Sequence, residues 1–329
     1  MRRALVLLRR RLIGVVPVLL IVAISAFLLL EAAPGDAIDA YLAATGGADA
    51  ARVNELRAEW GLDRGPLQRF FAYGAALARG DLGWSTAFER PVLDVILERL
   101  PRTLILMSLA TALAFGVGSF LGVLAGARPG SLRDRALSLA SLAVYAMPGF
   151  WLGLVLIVIF AVDLRWLPIG GLETIASGKT GIDRLVDIAR HLLLPVASLG
   201  IVYLALYLRL MRDSMAEIWK EDFVRAARAR GIPRRRLILR HVARNALLPV
   251  VTMLGLQFGS MMGGSIVVEG VFAIPGVGRL ALEAVAQRDI PLLLGVVLIS
   301  ALLVIMVNLV TDIVYAVLDP RVGSSGTAA

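Results

Sequence analysis

Six apolar runs, each long enough to cross a lipid bilayer, are the feature that most constrains this chain. A hydrocarbon core about 30 Å thick needs a helix of about 20 apolar residues. Of the 329 residues, 58% are hydrophobic and 18% are charged, whereas soluble domains have about 45–50% and about 25%. These features argue against a soluble enzyme and predict an all-α polytopic membrane protein with six transmembrane helices. The predicted spans are 12–30, 103–127, 136–162, 192–210, 247–268 and 291–318.

The residues that carry most enzyme and metal chemistry are scarce in this chain. It has no cysteine, which excludes disulfides, thiol catalysis and zinc-thiolate sites, and its two histidines, His191 and His241, are far apart in sequence. Residues 177–180 (SGKT) resemble the end of a phosphate-binding loop, but Glu173 stands where that loop needs its first glycine. We therefore predict no catalytic residue, no cofactor, no metal site and no nucleotide hydrolysis by this chain.

The placement of arginine and lysine predicts how the chain is oriented in the membrane. Five arginines precede the first span, three occupy the loop after the second span, and residues 212–246 hold ten basic residues against four acidic ones. Six crossings bring these segments and the C-terminal tail to one side, which we assign to the cytoplasm. The first span is longer than the apolar region of a secretory signal, which has about 7–15 residues, and this favours an uncleaved anchor. The net charge of +9 reflects this topology and not nucleic-acid binding.

This topology divides the chain into three parts. Residues 1–30 form the cytoplasmic N-terminus and first helix, residues 31–100 an external segment, and residues 101–329 a core with five transmembrane helices and the inner segment 212–246. Residues 53–60 and 66–77 show helical spacing of apolar residues within the external segment. This segment fits either an amphipathic cap on the membrane surface or a docking surface for an external partner.

The inner segment carries the most informative pattern in the chain. Its alanine-rich stretch favours a short helix, and Gly231 followed by Pro233 predicts that the helix ends there. We expect Phe223, Ala226 and Ala227 on its apolar side, and a second short helix from Pro233 to Pro249. A solvated basic loop held by anionic lipid would explain the arginines, but it would not explain the paired alanines and the glycine.

The fifth span is small, polar and flexible on one side, which predicts that it lines a pathway. Unbranched methionine side chains repack easily around varied molecules, and ionisable residues near membrane level usually face protein or a watery cavity. Glycines four residues apart also occur in the second span, at Gly118, Gly122 and Gly126, where helix packing is the better interpretation. The predicted pathway residues are Gly259, Ser260, Met261, Met262, Gly263 and, at the outer end, Glu269.

The inner segment resembles the EAA loop of ABC importer permeases, in which Glu-Ala-Ala, three residues and Gly form a helix that sits in a groove of the ATPase. Here Arg225, Ala226, Ala227 and Gly231 match all but the first position. The basic run before Gly231, the late proline at 249, and the stretches FAIPGVGRL (272–280), RDIP (288–291) and DPR (319–321) are similar to the B-type permease of the dipeptide/oligopeptide branch.

The resemblance implies a type I ABC importer permease-like fold in the inner membrane and a role in ATP-driven, binding-protein-dependent import of dipeptides or oligopeptides. It implies a heterodimer with a homologous C-type permease, two ABC ATPase subunits that hydrolyse the ATP, and an external substrate-binding protein. Nickel, glutathione or oligosaccharide stay open as cargo, and a passive channel is the remaining alternative. The ATPase-coupling residues implied are Asp222, Phe223, Arg225, Ala226, Ala227, Arg230, Gly231, Ile232 and Pro233.

Glu269 has two possible roles on this resemblance. It could attract the α-amino group of a peptide at the outer mouth of the pathway, or it could bond to protein, either a neighbouring helix or the external binding protein. The residue types and their spacing leave both open.

Overall fold

The computed structural model describes Pro17, residues 20–25 and 27–29, and residues 65–318, with side chains as far as Thr311. The α-helices are α1 (Pro66–Ala78), α2 (Val92–Gly126), α3 (Leu132–Tyr145), α4 (Gly149–Leu156), α5 (Gly181–Ile218), α6 (Asp222–Ala229), α7 (Arg234–Arg236), α8 (Ala243–Val271), α9 (Val277–Ala286) and α10 (Ile290–Leu318). Two π-helical segments follow α4 and α7, at Ile157–Asp163 and Leu237–Val242. Strand β1 (Trp84–Ser85) pairs antiparallel with β2 (Arg90–Pro91).

Four helical runs in the described residues are long and apolar enough to cross a membrane: Val92–Gly126, Gly181–Ile218, Arg234–Val271 and Ile290–Thr311. A fifth crossing is possible if α3 and the α4–π segment form one broken span. Of the first predicted span, 12–30, only Pro17 and residues 20–25 and 27–29 are described. The all-α, multi-pass architecture is confirmed, and four or five of the six predicted spans fall within the described part of the chain.

Two predicted helices differ from the structure. The third span is not one helix, because α3 and α4 meet at a bend of 99°. Pro148 precedes α4, and its ring and missing N–H prevent α3 from continuing through it. The separate short helix expected between Pro233 and Pro249 is also wrong. The chain forms one 38-residue helical run from Arg234 to Val271 that contains Pro249, as membrane helices allow when neighbours bond the freed backbone groups.

One compact unit contains residues 102–279 and the chain from residue 306. Helices α3, α4 and α8 all pack against α5. The second-span glycines let α2 approach α5 closely, since a Cβ on Gly122 would lie 2.6 Å from the Met211 Cβ. Gly118 and Gly126 make equally close approaches to Tyr207 and Met215. The packing interpretation of these glycines is therefore confirmed.

The other compact unit groups the described residues up to Pro101 with residues 280–305. Its centre is Asp289, which is 1% exposed. One Asp289 carboxylate oxygen accepts hydrogen bonds from the Ser85 hydroxyl at 2.5 Å and the Ala87 N–H at 3.0 Å. The other accepts from the Leu292 N–H at 3.0 Å and so caps α10. Part of the predicted external segment is thus folded around the start of α10, whereas residues 31–64 lie outside the described residues.

Candidate functional site

Helix α6 occupies the part of the inner segment where a short helix was predicted. It runs from Asp222 to Ala229, with an acidic residue in its first turn and Arg228 in its last, which suits the helix dipole. Gly231 has φ +74°, a left-handed conformation that glycine adopts without strain. The Gly231 N–H donates to the Arg228 carbonyl at 3.0 Å and the Ile232 N–H to the Ala227 carbonyl at 3.3 Å. The predicted helix end is confirmed.

The burial of α6 differs from the prediction. Val224 and Ala227 are 0% and 1% exposed and pack into a core with Met215 and Leu237. Phe223 is 40% exposed, and Ala226 is also exposed. Because a helix repeats every 3.6 residues, Val224 and Ala227 share one side and leave the others free. Of the predicted apolar side made by Phe223, Ala226 and Ala227, only Ala227 is therefore buried in this chain, and the other two residues are exposed.

The other predicted coupling residues are exposed, except Ile232, which is partly buried against the same core as Val224 and Ala227. Arg225 forms an ion pair with Asp222, and both side chains are well exposed. Arg230 is exposed and its Nε lies 3.4 Å from the Ala226 carbonyl. We call the exposed set Asp222, Phe223, Arg225, Ala226 and Arg230 the α6 outer face. It combines one small residue, one aromatic ring and mixed charge.

Three side chains that the sequence interpretation missed attach the α6 region to the end of α2. The Trp219 indole N–H donates to the Gly126 carbonyl at 2.8 Å. The Arg228 guanidinium lies 5.5 Å from the centre of the Trp219 ring, within cation–π range. Arg234 donates to the Ala127 carbonyl at 3.1 Å. Helix α6 is therefore linked to α2 through Arg228 and Trp219, and to the core beside α5 through Val224 and Ala227.

The predicted pathway residues on α8 divide between two sides of that helix. Ser260 and Gly263 are exposed and Gly259 is half-buried. Met261 and Met262 are 0% and 7% exposed, and the Thr111 hydroxyl donates to the Met261 sulfur at 3.3 Å. The methionines thus pack within this chain, away from the exposed side on which Ser260 and Gly263 lie. The expectation that both methionines face the pathway does not match this packing.

Glu269 is fully buried and organises the segment that follows α8. Its carboxylate accepts a hydrogen bond from the Thr103 hydroxyl at 2.7 Å and another from the Arg279 N–H at 3.0 Å. The Thr103 hydroxyl oxygen in turn accepts from the Val277 N–H at 2.8 Å. Of the two roles left open for Glu269, these contacts favour bonding to neighbouring elements over attraction of a ligand at an open mouth.

The glycines after Glu269 explain how its carboxylate is enclosed. A Cβ on Gly276 would overlap that carboxylate, and a Cβ on Gly278 would lie 2.6 Å from the Ile266 Cα. Only glycine, which has no Cβ, permits the chain to pass this close to Glu269 and Ile266. The two glycines therefore let the segment after α8 close over the Glu269 carboxylate.

Comparison with known proteins decides the family. The family described as "Binding-protein-dependent transport system inner membrane component" matches residues 118–324. A second family, described as the N-terminal part of such membrane components, matches residues 4–107. The chain belongs to this family of importer permeases. It is therefore a membrane subunit of a binding-protein-dependent importer and not an enzyme, because ATP hydrolysis belongs to separate ATPase subunits.

Several curated relatives match almost end to end. The oligopeptide transport system permease protein AppB of Bacillus subtilis is 37% identical, over 95% of this chain and 98% of its own length. The dipeptide permease DppB of Escherichia coli K12 is 36% identical, over 95% and 97%. The glutathione permease GsiC of Escherichia coli O6:H1 is 38% identical, also over 95% and 97%. The prediction of the dipeptide/oligopeptide permease group is confirmed.

The fold also matches a solved transporter. A chain of the MetNI methionine ABC transporter, in an inward-facing conformation, aligns with a TM-score of 0.56 at 16% identity. The alignment covers 68% of this chain and 96% of that chain. This agreement confirms the predicted type I importer permease-like fold.

Proposed function

We propose that this chain is the permease subunit of an importer for short peptides. The observation that carries the proposal is end-to-end similarity to permeases named for oligopeptides and dipeptides. The relative named for glutathione has a similar identity, so the degree of identity does not separate these cargoes. Peptides are the class that the named systems share. A homologous second permease of the C type is proposed as the partner in the membrane.

We further propose that the α6 outer face docks on an ATPase subunit. Ala226 is small and exposed, which allows close approach by another surface, and Phe223 offers an apolar anchor beside it. The opposite side of α6 is fixed to this chain by Val224 and Ala227. A helix held rigidly on one side and free on the other is suited to pass movement from a partner to the membrane helices.

We propose that both termini and residues 212–246 face the cytoplasm and that residues 31–100 face outward, on the basis of the arginine placement. Because the chain has no cysteine, single cysteines introduced at Thr45 and Ser131 can be labelled cleanly. A membrane-impermeant thiol reagent should label the first only from outside and the second only from inside. The reverse pattern at either position would overturn the orientation.

The translocation pathway is proposed to run along the exposed side of α8. Leu256, Ser260, Gly263 and Val267 follow one another at helical spacing and are exposed within a run that is long enough to span the membrane. An unpartnered row of small and apolar residues in the middle of a bundle helix suits the approach of a second permease and a passing cargo. Glu269 and the two methionines are not part of this row.

Replacing Gly263 with tryptophan should block peptide uptake without preventing assembly. Gly263 has no other atom within 4 Å of an added Cβ, so the indole can be accommodated in the isolated chain and would project from the exposed side of α8. Gly116→Trp is the matched control, because Gly116 is an equally open glycine in another span. Uptake should be measured in vesicles that contain the complete transporter. Normal uptake with Gly263→Trp would place the pathway elsewhere.

A further inference from the structure

A groove of about 910 Å³ opens where the end of α2, the turn before α3 and the start of the Arg234–Val271 run meet. This volume is near the upper end of the about 300–1,000 Å³ typical of small-molecule sites. One part of the lining is apolar and the other part is strongly basic. Neither part belongs to the α6 outer face or to the exposed side of α8.

The apolar part is made by Phe120 and Leu124 of α2 and Leu239 of the π-helical segment. All three side chains are exposed, with Phe120 61% exposed. Phe120 and Leu124 belong to a helical run that is long and apolar enough to cross the membrane, and Leu239 lies near the start of another such run. Apolar side chains left exposed near the end of a membrane helix are suited to contact acyl chains.

The basic part is made by Arg128, Arg133, Arg234 and Arg235. No acidic residue lines the groove in the described part of the chain. The nearest carboxylate in sequence, Asp134, is 2% exposed and is held by Arg212 at 2.9 Å and 3.0 Å. The charge of the four arginines is therefore not cancelled by the groove itself.

Hydrogen bonds fix the position of this basic part. The Gly130 N–H donates to the Asp134 carboxylate at 2.7 Å, and the Ser131 hydroxyl accepts from the Asp134 N–H at 3.3 Å. These bonds hold the turn that carries Arg128 and Arg133. Arg234 is tied to the Ala127 carbonyl at 3.1 Å, which holds α7 against the end of α2. The arginines are thus presented at one end of the apolar part by a pre-ordered backbone.

We propose that this groove binds one anionic glycerophospholipid, with its phosphate among the four arginines and an acyl chain along Phe120, Leu124 and Leu239. Basic pockets between membrane helices bind anionic headgroups in this way, and arginine pairs with phosphate through two parallel hydrogen bonds. A soluble phosphate would gain nothing from the apolar part. A zwitterionic lipid would fill the apolar part but would not match the net positive charge.

Native mass spectrometry of the purified transporter tests this proposal. Phosphatidylglycerol and phosphatidylcholine with identical acyl chains should be titrated separately. Arg235→Gln should weaken phosphatidylglycerol binding about fivefold, which corresponds to about 1 kcal/mol for one basic residue. Phosphatidylcholine binding should not change, and Arg235→Lys should retain most phosphatidylglycerol binding.

Arg236→Gln is the matched control, because Arg236 is the neighbouring residue of α7, is exposed and does not line the groove. It should bind phosphatidylglycerol as the unaltered chain does. Equal weakening by Arg235→Gln and Arg236→Gln would show diffuse attraction and overturn the site. The proposal would also be overturned if Arg235→Gln lost the ATPase subunits but bound phosphatidylglycerol normally. That result would show that this surface contacts a protein.

Discussion

Ala226→Glu is expected to separate the permease from its ATPase subunits while leaving the permease folded. Ala226 is exposed on α6, so the new carboxylate meets solvent in the isolated chain and causes no internal overlap. In the docked state it would be buried without a partner, which costs about 2–5 kcal/mol at an interface. This corresponds to a loss of affinity of at least about 30-fold. Co-purification of the ATPase subunits is the measurement.

Ala75→Glu is the matched control, since Ala75 is also an exposed alanine on a helix, α1, outside the inner segment. It should leave ATPase recovery unchanged. Ala227→Glu is a poor test of docking, because Ala227 is 1% exposed and belongs to the chain's own core. If Ala226→Glu retained both its ATPase subunits and ATP-driven transport, the α6 outer face would not be the docking surface.

Glu269→Ala is expected to destabilise the permease strongly. It removes the acceptor for the Thr103 hydroxyl and for the Arg279 N–H. Hydrogen bonds to a charged group contribute about 1.5–3 kcal/mol each to stability. Losing both should therefore lower the free energy of unfolding by about 3–6 kcal/mol. Gly276→Ala should also lower the free energy of unfolding, because the added Cβ would overlap the Glu269 carboxylate. Unfolding of the purified chain in detergent measures both effects.

Two controls separate this role from a general sensitivity to substitution. Glu217→Ala removes an exposed glutamate, and Gly116→Ala adds a methyl group in open space. Glu217→Ala should unfold as the unaltered chain does, and Gly116→Ala should be no less stable, because alanine favours a helix interior over glycine. Glu269→Ala with normal stability but selective loss of uptake of peptides that have a free amino terminus would contradict the structural role. That result would instead support the direct role at the outer mouth.

Apolar run length was sufficient to predict the class of fold. A helix that crosses a bilayer needs a length set by the membrane, so the spans could be located by composition alone. The ends of the helices could not be located from composition, because the continuation of a helix beyond the bilayer depends on tertiary packing. Helix α5, for example, extends to Ile218 with Ser214 and Met215 buried, well past the predicted end at residue 210.

The end of helix α6 was predicted, but the side chains that it buries were not. Gly231 and Pro233 limit α6 by local backbone chemistry, which sequence reasoning can recognise. Which side of α6 faces inward depends on what lies beneath it, and Val224 was not distinguished from its neighbour Phe223 for that reason. Glu269 shows the same limit, since the side chains that enclose it come from residues far away in sequence, such as Thr103.

The most direct measurement of the central claim is peptide uptake by vesicles that contain this chain with its partner permease, ATPase subunits and external binding protein. A labelled short peptide should accumulate only when ATP and the binding protein are both supplied. Ala226→Glu should abolish this accumulation. Peptide entry at the same rate without ATP would indicate a passive channel. Such entry would contradict the account, as would the absence of any peptide accumulation by the fully assembled transporter.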